Sequence, residues 1–198
     1  MPRKFLFSIL VWAVLAFPAQ AASVLPLYLD EIVADAAVAF QGICTDNRSE
    51  LDSQTGFVVT YTTFSVTDVL KGAVGSTHTI KQVGGRVGNQ VFRIEGTPTF
   101  AVGADYVVFI YGVSSAGFSS PVGLSQGQFT IRPGAHGAEL SNGRDFKEML
   151  RPDPAQGLPP DGQNQDARRK FLQVPGELRH IGLDDFKQIV RQLPGGAQ

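Results

Sequence analysis

The chain has 198 residues, a formal net charge of −1 and no long basic run, which excludes the electrostatic footprint of nucleic-acid binding. Only 18% of its residues are charged and 22 are glycine, a composition that favours turns and strands over long solvated helices. A single cysteine, Cys44, excludes an intramolecular disulfide and leaves the core to hold the fold.

The first element is a leader. Arg3 and Lys4 precede an apolar run from Phe5 to Phe17, Pro18 breaks it, and Ala19-Gln20-Ala21 offers small residues for cleavage. The run is short for a membrane span. We expect a secretory signal peptide over 1–21, export to the periplasm or the medium, and no stable membrane span in the mature chain. Loss of Arg3 and Lys4 moves the formal net charge to −3.

Leu25, Leu29, Ile32 and Val33 recur at near-helical spacing, so a short helix is expected from about Leu27 to Ala34. Asp30 and Glu31 sit near its start, where negative charge is favourable. Residues 36–44 form the first expected strand, with Cys44 as a buried thiol. Residues 45–56 are polar and predict a solvated loop. Their acids lack the alternation, central glycine and terminal glutamate of a calcium loop.

The strongest β signal runs from Phe57 to Val113. Residues 57–69 are rich in Val, Thr, Tyr and Phe and predict a long curved strand ended by Gly72. Thr77 to Val83 alternates and predicts the next strand. Gly84, Gly85 and Gly88 are followed by the β pattern Gln90–Ile94 and not by a helix, so a hairpin corner is expected and not a phosphate cradle. Tyr106 to Tyr111 is continuously apolar, as in a central strand covered on both faces.

Residues 121–131 predict two short strands around a glycine turn. Residues 133–142 are turn-rich, and 143–181 predict a flexible linker or tail. Arg168, Arg169 and Lys170 are expected to form a solvated face. From 182 to 194, Leu183, Phe186, Ile189, Val190 and Leu193 form one helical stripe, stopped by Pro194-Gly195. The organisation expected is therefore a signal peptide over 1–21, a β domain over 22–142, a linker over 143–181 and an amphipathic helix over 182–194.

These motifs carry a resemblance. The segments at 28–42, 66–72 (VTDVLKG), 83–109, 123–129 (GLSQGQF) and 183–190 resemble a family of exported bacterial proteins of uncharacterised activity. More distantly, the order of elements is similar to the netrin-like and tissue-inhibitor-of-metalloproteinase domains. That resemblance implies a mainly β fold, a small OB-like antiparallel β-barrel with a short N-terminal helix and a C-terminal amphipathic helix. Inhibition in those domains relies on an N-terminal cysteine and disulfides. The mature terminus expected here is Ala22-Ser23, so that mechanism carries over to no residue.

Chemistry is sparse. His78, His136 and His180 share no ligand spacing, so no metal site is expected, and no residue pattern calls for a cofactor. Gly123-Leu124-Ser125-Gln126-Gly127 matches the pattern of a nucleophile elbow, with Ser125 as nucleophile and His136 as base in a serine-hydrolase reading. An elbow needs a strand-to-helix turn in an α/β sheet, and β pattern follows instead. A non-enzymatic binding module is the favoured expectation, with an extracytoplasmic protein or a surface ligand as partner. Its candidate surface is the corner at Gly84–Asn89, with Arg86, Arg93, Tyr61 and Asn89 as binding residues. A structural component of a cell-surface assembly, docking through the C-terminal helix, is the third class.

Overall fold

A computed structural model describes residues 24–135, 137–150 and 178–196. The leader, His136 and the basic cluster at 168–170 lie outside the described residues. Helix α1 (Leu29–Asp35) leads into nine strands: β1 (Val38–Leu51), β2 (Val58–Lys71), β3 (Thr77–Val83), β4 (Gly85–Val87), β5 (Gln90–Phe92), β6 (Asp105–Ile110), β7 (Gln128–Gly134), β8 (Gly137–Ser141) and β9 (Ile181–Gly182). A 3-10 turn (Leu124–Gly127) precedes β7, helix α2 (Phe146–Met149) follows β8, and helix α3 (Leu183–Gln192) follows β9.

The fold is mainly β. Seven strands form one sheet in the order β3-β2-β1-β6-β7-β8-β9, with every pairing antiparallel, and β4-β5 stand apart as a two-stranded flap. The closed barrel expected from the sequence is not found among the described residues, because the ladder ends at β3 and β9. The reason is local. The two-residue β9 turns at once into α3. The outer edge of β3 is covered by a loop, where Ser119 N donates to Lys81 O and Lys81 N donates to Ser119 Oγ.

Alternation along β6 explains its unbroken apolar run. Val107 and Phe109 enter one core with α1, α3 and Phe129, while Tyr106, Val108 and Ile110 enter a second with Phe40, Phe64, Ile80 and Phe100. The second core is a chain of edge-to-face rings, with Phe64–Phe100 centroids 5.0 Å apart and Phe100–Tyr106 5.1 Å apart. Cys44 lies in it, fully buried. Burial pushes its thiol pKa up.

Several expected boundaries move. Strand β1 continues to Leu51 through the stretch expected as loop, since Arg48, Ser49 and Glu50 pair with Tyr61, Thr60 and Val59. Cross-strand pairing with β2 holds this polar end of β1 against Val58, Val59, Thr60 and Tyr61, and the connecting turn shrinks to 52–57. Of the two strands expected over 121–131, the first is reduced to a single bridge from Pro121 to Ile110. The turn-rich 133–142 is a hairpin of β7 and β8.

The described parts of the expected linker are ordered. Asp145 caps α2 by accepting from Lys147 N at 3.0 Å, and Phe146, Met149 and Ile181 are buried in the first core. The rest of that linker, 151–177, lies outside the described residues. The stripe on α3 is likewise internal, with Phe186 against Phe129 at 4.7 Å between ring centroids. No described helix is long and apolar enough to cross a membrane.

Candidate functional site

The face of the sheet that carries Phe64 continues up the β1–β2 arm as Thr62 and Thr60, opposite Asn47 and Ser49, with Gln82 beside them on β3. This polar floor is knitted tightly. Thr62 donates to Asn47 Oδ1 at 2.7 Å, Asn47 Nδ2 donates to Phe100 O at 2.7 Å, and Thr60 donates to Gly84 O at 2.7 Å. Gln82 is the exception. It is only 3% exposed, and its Nε2 has no hydrogen-bond partner. A buried unpaired donor costs free energy and calls for a reason.

The flap makes a groove over this floor. Gly84 and Gly85, at φ +111° and +141°, turn the chain out of β3, and β4 and β5 fold back above Thr60 and Ser49. A Cβ at Gly85 would lie 2.5 Å from both Ser49 Oγ and Thr60 Oγ1, so the flap sits this close only with glycine at that position. Segment 93–100 closes the other wall. The cavity holds about 400 Å³ and is lined by Gln82, Arg86, Phe92, Arg93, Ile94 and Glu95, among others. Among the described residues, the side chains of Arg86 and Arg93 have neither an ion pair nor a hydrogen bond.

The four residues expected to bind are thus divided. Arg86 and Arg93 line the groove together. Asn89 is exposed at the tip of the flap, in the turn between β4 and β5. Tyr61 projects from the opposite face of β2, half-buried beneath the Arg48 guanidinium at 5.2 Å from its ring centroid. Gln82 escaped sequence reasoning. In Thr77–Val83 it reads as one more polar residue in an alternating strand, and nothing in that pattern marks it as buried.

On Tyr61's side, Lys81 Nζ lies 3.0 Å from Asp52 Oδ1, with both side chains about nine-tenths buried. Lys81 also donates to Ala116 O at 3.2 Å and stands 4.7 Å from the Phe118 ring centroid. Asp52, expected as a solvated loop acid, is instead held by a hydrogen bond from Thr55 and by Lys81, which keep its carboxyl below the usual range. This is a structural clasp, with all its members paired.

Ser125 is exposed on the 3-10 turn and shares a small cavity with Glu139 and His180. Among the described residues, neither Ser125 nor His180 makes a side-chain hydrogen bond that would align a nucleophile with a base. The glycines of this motif have packing reasons. A Cβ at Gly127 would meet Val122 O at 2.8 Å, and one at Gly123 would meet Leu27 Cδ1 at 2.7 Å. Gln126 clamps the N-terminal strap, accepting from Leu27 N at 2.8 Å and donating to Leu25 O at 3.0 Å. His78 packs edge-on against Phe40 in the second core. No group of three or more metal-ligating side chains converges among the described residues.

The class of protein defined by these observations is a mainly β domain with a flap-covered polar groove. In comparisons with models of protein families, with curated proteins and with solved structures, no match was found.

Proposed function

We propose that the chain is an exported, non-enzymatic binding module whose ligand seats in the groove between the sheet and the β4–β5 flap. One observation carries this reading: two unpaired guanidiniums, Arg86 and Arg93, border a concave site whose floor holds the unpartnered amide of Gln82. Sites for small ligands are concave, largely preformed and equipped with a few convergent polar groups. The charge of the two arginines selects an anionic group. Export rests on the charged start, apolar run and small-residue end of residues 1–21. The netrin-like and OB-like relationship rests on the order of elements and on the long β1–β2 pair, whose register shifts at Ala39/Phe40, Gln41/Gly42 and Cys44/Asp46 bend the sheet.

Among the described residues no base is aligned beside Ser125, and the apolar stripe on α3 is covered by the first core. The test is a backbone-amide NMR titration of the mature chain with acetate, sulfate, phosphate and N-acetyl-phenylalanine. The expected result is selective movement of resonances from Gly84 to Phe100, abolished in Arg86→Ala/Arg93→Ala. Absence of movement there with every probe, or covalent labelling of Ser125 by a fluorophosphonate, overturns the reading.

A further inference from the structure

Resting on that reading, we infer that the groove recognises a carboxylate with an amide carbonyl beside it and an apolar side group, the chemistry of a peptide C-terminus or an N-acyl amino acid. Three features of the site define three parts of the ligand.

Arg86 and Arg93 supply the first. A guanidinium presents paired donors that match the two oxygens of a carboxylate. Two such groups, neither tied to a protein partner, stand at one groove.

Gln82 supplies the second. Its amide is neutral and nearly buried, and its Nε2 lacks the acceptor that almost every buried donor has. The neighbouring floor groups are engaged elsewhere, Thr62 with Asn47, Asn47 with Phe100 O and Thr60 with Gly84 O, and none of them accepts from Gln82. A neutral acceptor on the ligand, next to its charged end, completes the set. A site built to hydrogen-bond a ligand group discriminates strongly against analogues that lack the group.

The third comes from Val91, Phe92 and Ile94, which line the groove and are 50%, 41% and 44% exposed. Phe92 also stacks on Phe57 at 6.3 Å between centroids, which fixes one ring of this wall. An apolar side group on the ligand covers them. A volume of about 400 Å³ holds one or two residues and not a long segment.

The experiment measures binding to the mature chain by NMR and calorimetry. Its probes are N-acetyl-phenylalanine, its carboxamide, 3-phenylpropionate, inorganic phosphate, and a pentapeptide ending in phenylalanine as free acid and as amide. We expect the two free acids bearing an amide carbonyl to bind at least tenfold tighter than their amides and than phosphate. Gln82→Met is expected to remove the advantage of N-acetyl-phenylalanine over 3-phenylpropionate while leaving the latter's binding intact. Arg86→Ala/Arg93→Ala is expected to weaken all acids at least tenfold with no change in Tm, because both side chains lack partners. Tighter binding of the pentapeptide than of N-acetyl-phenylalanine assigns the site to a protein C-terminus, and the reverse assigns it to a small acid. Equal binding of acids and amides, tighter binding of phosphate, an unchanged preference in Gln82→Met, or no binding of either N-acylated acid overturns the inference. Phosphate or 3-phenylpropionate binding alone would do so while leaving the broader binding reading intact.

Discussion

Lys187 Nζ on α3 lies 2.8 Å from Asp68 Oδ2 on β2, and Arg191 Nη2 donates to both oxygens of the same carboxylate at 2.9 and 2.8 Å. Helix α3 is thereby fastened near the end of one of the two longest strands. Burial pushes the Asp68 carboxyl up, but the hydrogen bond and charge of Lys187, with Arg191, outweigh it and hold the pKa below the ordinary value. A folded-state pKa below the unfolded one stabilises the fold above the ordinary carboxylate range of about 4, and that stability is lost as pH falls through the folded value. Asp68→Asn should cost about 1 kcal/mol at neutral pH, discounted for its partial exposure. Urea denaturation should show the gap to wild type narrowing as pH falls below the ordinary carboxylate range. A gap independent of pH would refute the role of charge.

The core behind that clamp is more costly to disturb. Phe186 is fully buried and meets Phe109, Phe129 and Phe146 at centroid distances of 6.2, 4.7 and 5.9 Å. Phe186→Ala should destabilise the protein by about 3–5 kcal/mol through lost burial and a residual cavity. Loss of less than about 1 kcal/mol in chemical denaturation would mean that α3 is not integral to the core.

Much of this was legible in the residues. Tyr106–Tyr111 read as a doubly covered strand because both faces are apolar, and the α3 stripe was plain because five apolar residues share one side. The glycines at 84, 85 and 88 read as a hairpin corner because strand residues and no helix follow them. What escaped was structure made by polar pairing. Ser49, whose hydroxyl lies 2.9 Å from that of Thr60, looks like loop chemistry until its segment is placed beside β2. Strands β8 and β9 are short and depend on partners distant in sequence. Gln82 was invisible because its burial depends on a flap folding over it.

That flap rests on Gly85. At φ +141°, with Ser49 Oγ and Thr60 Oγ1 2.5 Å from any added Cβ, Gly85→Ala should strain the backbone and lift β4–β5 from the floor. We expect a loss of about 1–3 kcal/mol, together with faster amide exchange confined to residues 84–94. The exposed Gly88 has open space around its Cβ position. At φ +57° it carries only the backbone cost, so Gly88→Ala should be the milder change. Equal effects at the two sites would show that the close approach of Gly85 is unimportant.

Cys44 offers a probe of the second core. Its thiol is buried, with a pKa raised by that burial, and Asn47 Nδ2 approaches its sulfur at 3.7 Å. Iodoacetamide should leave the native protein unmodified at neutral pH over hours and label it fully in denaturant, as read by intact mass. Gly85→Ala should not accelerate native labelling, since the thiol belongs to the aromatic core and not to the groove. Rapid labelling of the native protein would contradict this placement.

The Lys81–Asp52 clasp joins the tip of the β1–β2 arm to β3 and to the loop that shields its edge. Truncating one member of a buried pair leaves the other charge without its partner, so each single change should be more damaging than removal of both. Lys81→Met and Asp52→Asn should each lower Tm, and the double variant should recover part of the loss, giving a coupling that adjacent residues show and distant ones do not. Because the bonds from Thr55 and Lys81 hold the Asp52 pKa down, the clasp stabilises the fold above the ordinary carboxylate range and weakens as pH falls through the folded value. In Lys81→Met the carboxyl loses that support and its pKa moves up toward the unfolded value, so the stability gap to wild type should narrow as pH falls through the ordinary carboxylate range. Additive single effects, with a gap that does not change with pH, would show that the two side chains are adjacent without being coupled.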